Sequence, residues 1–184
     1  MAFEIERRFL VGIGPDGSAT PWAPHVTWTA RLQQGYLSAS ADGFTTRVRS
    51  DGRGGAWLTL KCGTPASDGL VRHEFEYPIP PADAQALLEL CPSALRKWRY
   101  GLDLPGGDWV LDVFEDANAP LVIAEVELAS PSQPVVVPPW CVQEITGQGG
   151  FSNAALAGTP LASWSVDTRQ QTLLRIKTEA GMTH

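Results

Sequence analysis

The sequence predicts an α+β protein: an eight-stranded antiparallel sheet closed into a barrel, with helices packed outside and a charged lumen. Three observations carry this. Short runs rich in β-branched and aromatic residues are separated by Gly, Pro, Asn and Asp turns. The runs follow one another without the strand-helix alternation of a parallel sheet. Most of them place charge on one face and apolar residues on the other at period two. A chain of 184 residues, 43% hydrophobic, is enough for one domain with a proper core.

Taken in order, Glu4 to Val11 reads as the first strand, with Glu4, Glu6, Arg8 and Leu10 on one face and Ile5, Arg7, Phe9 and Val11 on the other. Gly12 to Pro24 is a loop by its Gly, Pro, Ser and Asp content. Val26 to Ser38 is extended, Ala39 to Gly43 a turn, and Phe44 to Ser50 the third strand. Asp51 to Gly55 makes a hairpin connection to Ala56–Lys61. A loop over Gly63 to Gly69 leads to the fifth strand, Leu70 to Ile79. Pro80-Pro81 then opens a helix over Ala82 to Leu90, with Leu87, Leu88 and Leu90 as its apolar contacts. Ala94 to Leu104, Trp109 to Glu115 and Leu121 to Leu128 are the last three strands. Beyond a proline-rich crossing, short helical pieces are expected near Pro139 to Ile145 and Ser152 to Ala157. A final helix is expected from Val166 to Ala180, capped by Ser165 or Asp167 and stopped at Gly181.

The charges on these strands recur at i, i+2. Arg47 pairs with Arg49, Arg72 with Glu74 and Glu76, Lys97 with Arg99, and Glu125 with Glu127, while Lys61 and Asp112 fall on strands of their own. With Arg8, the basic members are half of the chain's 14 Lys and Arg residues. A solvated sheet face mixes Thr, Ser, Gln and Lys; here the charges come in like-charged blocks opposite Phe, Val, Ile, Leu and Trp. The helices cover the apolar faces, so the charges line an interior. Burying unpaired charge is costly, and fields of Arg and Lys suit the many anionic oxygens of a polyphosphate. Carboxylates beside them fit if a divalent cation such as Mg²⁺ or Mn²⁺ bridges to phosphate.

The totals exclude other classes. A net charge of −6 lacks the basic footprint of a general nucleic-acid binder, so no nucleic acid is expected. No apolar run approaches the roughly 18 residues of a membrane span. The opening residues do not read as a secretory signal. The three cysteines are widely spaced, as for reduced thiols in a cytoplasmic protein.

With these residues in view, the chain resembles the CYTH superfamily, the triphosphate tunnel metalloenzymes, and in particular its small bacterial branch. The family's N-terminal ExExK strand stands here as Glu4-Ile5-Glu6-Arg7-Arg8. Gln34-Gly35-Tyr36-Leu37, Arg47-Val48-Arg49, Leu58-Thr59-Leu60-Lys61 and Glu74-Phe75-Glu76-Tyr77 follow in family order. So do Lys97-Trp98-Arg99-Tyr100, Asp112-Val113-Phe114, Glu125-Val126-Glu127, Pro138-Pro139-Trp140 and Ser152-Asn153-Ala154-Ala155-Leu156-Ala157. One position departs: the signature's lysine is Arg8, which keeps the charge but presents a planar fork.

The resemblance implies a tunnel domain over 1–158; a C-terminal helical extension over 159–184 lies outside it and is expected to pack on the same domain. It implies metal-dependent hydrolysis of a triphosphate, most simply inorganic triphosphate; a monomer or a homodimer is expected. Glu4, Glu6 and Glu127 are the expected metal ligands, with Asp112 and Glu125 joining them. Arg47, Arg49, Lys61, Lys97 and Arg99 are expected to clamp phosphate, with Arg8 and Arg72 assisting. Glu74 and Glu76 are expected to position a second metal or the attacking water, and Tyr36 to hydrogen-bond into the lumen. Class IV adenylyl cyclase and thiamine triphosphatase activities share the fold, and a polyphosphate- or nucleotide-binding module without turnover is the alternative outside enzymology.

Overall fold

The computed structural model describes residues 3–39, 44–63 and 71–177. Its framework is a nine-stranded antiparallel sheet. The strands are β1 Phe3–Val11, β2 Val26–Ala39, β3 Thr45–Ser50, β4 Ala56–Gly63, β5 Val71–Pro78, β6 Ser93–Leu102, β7 Asp108–Phe114, β8 Val122–Glu127 and β9 Cys141–Glu144. The helices are α1 Pro81–Leu90, α2 Asn153–Gly158 and α3 Val166–Ile176. The strand order is β5-β4-β3-β2-β6-β7-β8-β1-β9, with an additional pairing of β5 on β1.

The expected count of eight strands is corrected to nine. The ninth strand comes from the stretch read as helical near Pro139 to Ile145. The reason lies in β1. Glu6–Leu10 pair with β8, and Phe3–Ile5 pair with β5. Phe9–Val11 still have a second edge of backbone donors and acceptors that need partners. Cys141–Glu144 supplies them, and Glu144 fixes the register by pairing with Arg7 at 2.6 Å. The outward charge at Arg7 thus anchors a strand that local pattern does not reveal.

The local chemistry explains the other elements. Asp51 closes the β3–β4 hairpin by accepting from the backbone N–H of Arg53 at 2.8 Å and of Gly55 at 2.9 Å. Pro81 starts α1, where its missing N–H costs nothing. The buried face of α1 is Ala84 and Leu88, one turn apart, whereas Leu90 lies on the opposite side and is exposed. Gly35 lets the end of α1 approach β2: a Cβ there would sit 2.6 Å from Cys91 Sγ. Ser165 caps α3 by accepting from Thr168 N–H, and the helix is described to Ile176. The expected stop at Gly181, the turn over 40–43 and most of the 63–69 loop lie outside the described residues.

Two apolar clusters flank the sheet. The larger joins Phe9, Val11, Trp109, Leu111, Ile123 and Val126 to Ile145, Leu156, Leu161 and Ile176. The helical segments after residue 150 therefore share the core of the strands. The smaller packs α1 on Val48 and Ala56. With these faces covered, the residues that alternate with the apolar ones along each strand face the other way, towards one another. No helix among the described residues is long and apolar enough to cross a membrane.

Candidate active site

The charged faces of seven strands meet in a field of ion pairs that falls into two groups. On the β3–β4–β5 side, Lys61 Nζ bridges Glu4 Oε2 at 2.7 Å and Glu74 Oε2 at 2.9 Å. Arg47 Nη2 reaches Glu74 at 3.4 Å, Glu76 at 3.2 Å and Thr59 Oγ1 at 3.1 Å. Thr59 donates in turn to Glu76 at 2.8 Å. Arg49 Nη2 donates to both Glu76 oxygens at 3.1 Å, and its guanidinium stacks 5.2 Å over the Trp57 ring. Cross-strand register places these groups: Lys61 lies opposite Glu74, and Thr59 opposite both Arg47 and Glu76.

On the β6–β7–β8 side the pairs are tighter and drier. Asp112, fully buried, accepts from Lys97 Nζ at 2.5 Å and takes both arms of Arg99 at 2.7 Å. Arg99 also reaches Glu125 at 2.8 Å, and Glu125 accepts from Arg8 Nε at 3.0 Å. Arg8 lies 3.9 Å from Glu6 and donates through Nη2 to the Phe151 carbonyl at 3.1 Å. Lys97 has a second acceptor, Asn153 Oδ1 at 2.9 Å, and its ammonium lies 5.3 Å from the centre of the Phe114 ring.

Proton affinities follow these surroundings. Burial opposes ionisation of Glu125, but Arg8, Arg99 and the two lysines overcome it and hold its carboxyl far below the usual range. Asp112 is likewise held low by Arg99 and Lys97 despite burial. Burial pushes the Lys97 ammonium down to about 7 against the pull of Asp112. Burial also pushes the Tyr36 phenol up to about 12, opposed by Arg47. Glu127 moves the other way from Glu125. Partial burial, and then the like charges of Glu4, Asp108, Glu74 and Glu6, raise its pKa.

That carboxylate row is the chemistry of a cation site. Glu6 and Glu127 are direct cross-strand partners, and Glu127 also faces Asp108 across β7–β8. Like charges in that relation repel unless a cation lies between them. The ligands are not gathered into a finished trio: among the described residues no three acidic, His or Cys side chains converge as a ready metal centre. Glu4, the first carboxylate of the row, is held by Lys61. Two cationic groups also have capacity left over. The Nε–H groups of Arg47 and Arg49 are buried and have no hydrogen-bond partner among the described residues, a state that favours an incoming anion.

Of the residues expected from sequence, Glu4, Glu6, Arg8, Arg47, Arg49, Lys61, Glu74, Glu76, Lys97, Arg99, Asp112 and Glu125 are brought into this field. Glu127 stands beside it on β8. Tyr36, opposite Arg47 in the sheet, is buried, and its hydroxyl accepts from Gln34 Nε2 at 3.0 Å. The backbone of Arg72 lies opposite Glu4, and its side chain is outside the described residues. Thr59 and Asn153 also bond to these ions and Gln34 holds Tyr36, although being uncharged they give no sign of it in a charge pattern. Thr59 and Gln34 could be found by their i+2 relation to Lys61 and Tyr36; nothing in the charge pattern or strand spacing points to Asn153, which lies beyond the strands.

The sequence pattern of the CYTH domain family matches residues 2–154. An inorganic triphosphatase of Nitrosomonas europaea is 36% identical over 163 residues, which cover 84% of this chain and 96% of that protein. An inorganic triphosphatase of Acetivibrio thermocellus is 36% identical over 162 residues, covering 87% and 96%. Among solved structures, a crystal structure of an inorganic triphosphatase superposes with a TM-score of 0.57 at 33% identity, covering 85% of this chain and 95% of that one. A protein from Hippeastrum with a dominant triphosphatase activity is alike in fold alone, with a TM-score of 0.53 at 20% identity, covering 71% and 81%.

Proposed function

The chain belongs to the CYTH domain family, and from that premise we propose that it is a divalent-metal-dependent triphosphatase that cleaves inorganic triphosphate to pyrophosphate and phosphate. The single observation that carries the reading is the pair of buried guanidinium Nε–H donors on Arg47 and Arg49, set among further cations. Six described Lys and Arg side chains turn towards one interior, and a chain of phosphate oxygens can take contacts from several at once. In this reading β1 to β8 act as the wall of a tunnel, supported by the pairing of β5 with β1.

The residues divide by task. Glu4, Glu6 and Glu127 hold the cation, Mg²⁺ or Mn²⁺, and it must compete with Lys61 for Glu4. Bound there, a divalent ion neutralises phosphate oxygens and acidifies a bound water. Arg47, Arg49, Lys61 and Arg99 clamp the phosphates, with Arg72 beside them. Asp112 and Glu125, saturated by Arg8, Lys97 and Arg99, serve to fix those cations and come second as metal ligands. Tyr36 accepts from Gln34 and therefore has its own O–H free to give to a phosphate oxygen. Glu74 and Glu76 orient a water for attack on the terminal phosphorus. The new P–O bond forms as the bridging P–O bond breaks, and pyrophosphate leaves into the field of the clamp. Positioning and charge neutralisation account for most of such a rate. The cytoplasm, where the free thiols of Cys62, Cys91 and Cys141 stay reduced, is the proposed location.

The test is phosphate release from inorganic triphosphate, ATP and thiamine triphosphate, each with Mg²⁺ and with Mn²⁺. Turnover of inorganic triphosphate above the other two, and only with metal, is the expected result. Tight triphosphate binding without turnover under either metal rejects the enzyme in favour of a binding module.

A further inference from the structure

We propose that Asn153 is a positioning residue of this site: its side-chain carbonyl fixes the Lys97 ammonium and, through Asp112, the guanidinium of Arg99. The inference rests on the triphosphatase reading for its kinetic part and on geometry alone for the rest. Lys97 is the largest fully buried side chain among the described residues, 1% exposed. A buried ammonium has three protons to place. One goes to Asp112 at 2.5 Å and one to Asn153 Oδ1 at 2.9 Å, while the ammonium also lies over the Phe114 ring. Asp112 is shared: the same Oδ2 that meets Lys97 also accepts from Arg99 Nη2 at 2.7 Å. If Lys97 loses its second acceptor, its ammonium leans wholly on Asp112 and competes there with Arg99, the cation of this side that faces substrate.

Asn153 is suited to that task and engaged in no other. Among the described residues its side chain makes no hydrogen bond but this one. It is the first residue of α2, and the helix is held in place by other means. Ser152 caps it through Ala155 N–H at 3.1 Å. The buried Asn118 donates to the Leu156 carbonyl at 3.0 Å and accepts from Leu161 N–H at 2.9 Å. The same segment offers the Phe151 carbonyl to Arg8 at 3.1 Å. A piece of chain far from the strands in sequence thereby sets two cations of the site.

The experiment compares Asn153→Leu, which keeps the branched shape and loses the acceptor, with Asn153→Asp, which keeps an acceptor oxygen, in the full chain with Mg²⁺ and inorganic triphosphate. Asn153→Leu is expected to lower kcat at least tenfold with a melting temperature within about 3 °C of the parent, since the anchors of α2 remain. Asn153→Asp is expected to stay within threefold. In a Lys97→Met background, Asn153→Leu is expected to cost less than twofold more, because a residue that acts through Lys97 has nothing left to act on. Equal losses in the Leu and Asp variants, or additive losses with Lys97→Met, overturn the proposal.

A readout without turnover separates it from the triphosphatase reading. The ¹⁵N ammonium resonance of Lys97, assigned by its disappearance in Lys97→Met, is expected to be sharp in the parent and in Asn153→Asp and broadened in Asn153→Leu. If the parent hydrolyses nothing and the resonance behaves so, the function fails and the positioning stands. If the parent turns over and the resonance is indifferent to Asn153, the positioning fails alone.

Discussion

The charges on β3, β4 and β5 and those on β6, β7 and β8 are made of the same residue types, but they are held in different ways. On the first side one cation commonly serves two carboxylates at 2.7 to 3.4 Å, and the Glu76 side chain keeps 31% of its surface exposed. On the second, Asp112 is wholly enclosed by Lys97 and Arg99, and Glu125 by Arg99 and Arg8. The difference teaches that a charged lumen contains two kinds of ion pair. Half-wet pairs can be exchanged for a ligand at little cost. Dry pairs cannot be opened without stranding a charge, so Asp112, Glu125, Lys97 and Arg8 act as framework, and Arg99, 17% exposed, meets a ligand while still paired.

The comparison can be broken by substitution. The largest effect on activity is expected from Glu4→Ala, which should lower triphosphate turnover by about 10²–10³-fold while denaturant unfolding moves by no more than about 1 kcal/mol. Turnover that survives this change removes Glu4 from the metal site. Asp112→Ala should do the reverse. Stranding Lys97 and Arg99 should cost about 3–5 kcal/mol in urea unfolding, and a loss below about 1 kcal/mol would make the two sides alike. Arg49→Met should raise KM for triphosphate about tenfold, the worth of one charge-assisted contact, with kcat less affected. Arg8→Lys restores the family residue but gives up the fork that joins Glu125 to the Phe151 carbonyl. Stability should fall by about 1–2 kcal/mol and turnover should stay within tenfold.

The smallest effect concerns pH. Glu125 and Asp112 are held below their unfolded values, so their stabilisation is present above about pH 4 and is lost as pH falls through the folded values. Glu127 is raised, so its folded form binds the proton more readily and its ionisation opposes folding at neutral pH. Glu127→Gln should therefore raise the melting temperature at pH 7 by about 2 °C, an advantage that fades on acidification, while metal-dependent turnover drops. A variant that is less stable at pH 7 would show that Glu127 feels no repulsion.

Much of the fold was legible because period two is a local signal. The strands from Glu4 to Glu127 and the face that carries their charges could be read from alternation alone. The ninth strand could not. Cys141–Glu144 has no alternation of its own to declare, and it is extended because Phe9–Val11 offer it an unfilled edge. Leu90 shows a similar limit, being counted as apolar contact by composition and turned outward by the phase of α1. Within the site, charged residues announced themselves, while Thr59, Gln34 and Asn153 did not. A neutral hydrogen-bonding group has a role only once its partner's position is known.

The sequence by itself determined which side chains face one another: like-charged pairs at i, i+2 leave a strand no other choice when the opposite face must be buried. It also determined that the interior carries both signs, and so a chemistry that needs cations and anions together. Only the tertiary structure decided which of these charges are free to meet a ligand. Burial is a property of what packs behind a residue, and for Lys97 and Arg8 that includes the segment from Phe151 to Asn153, far along the chain from the strands it meets.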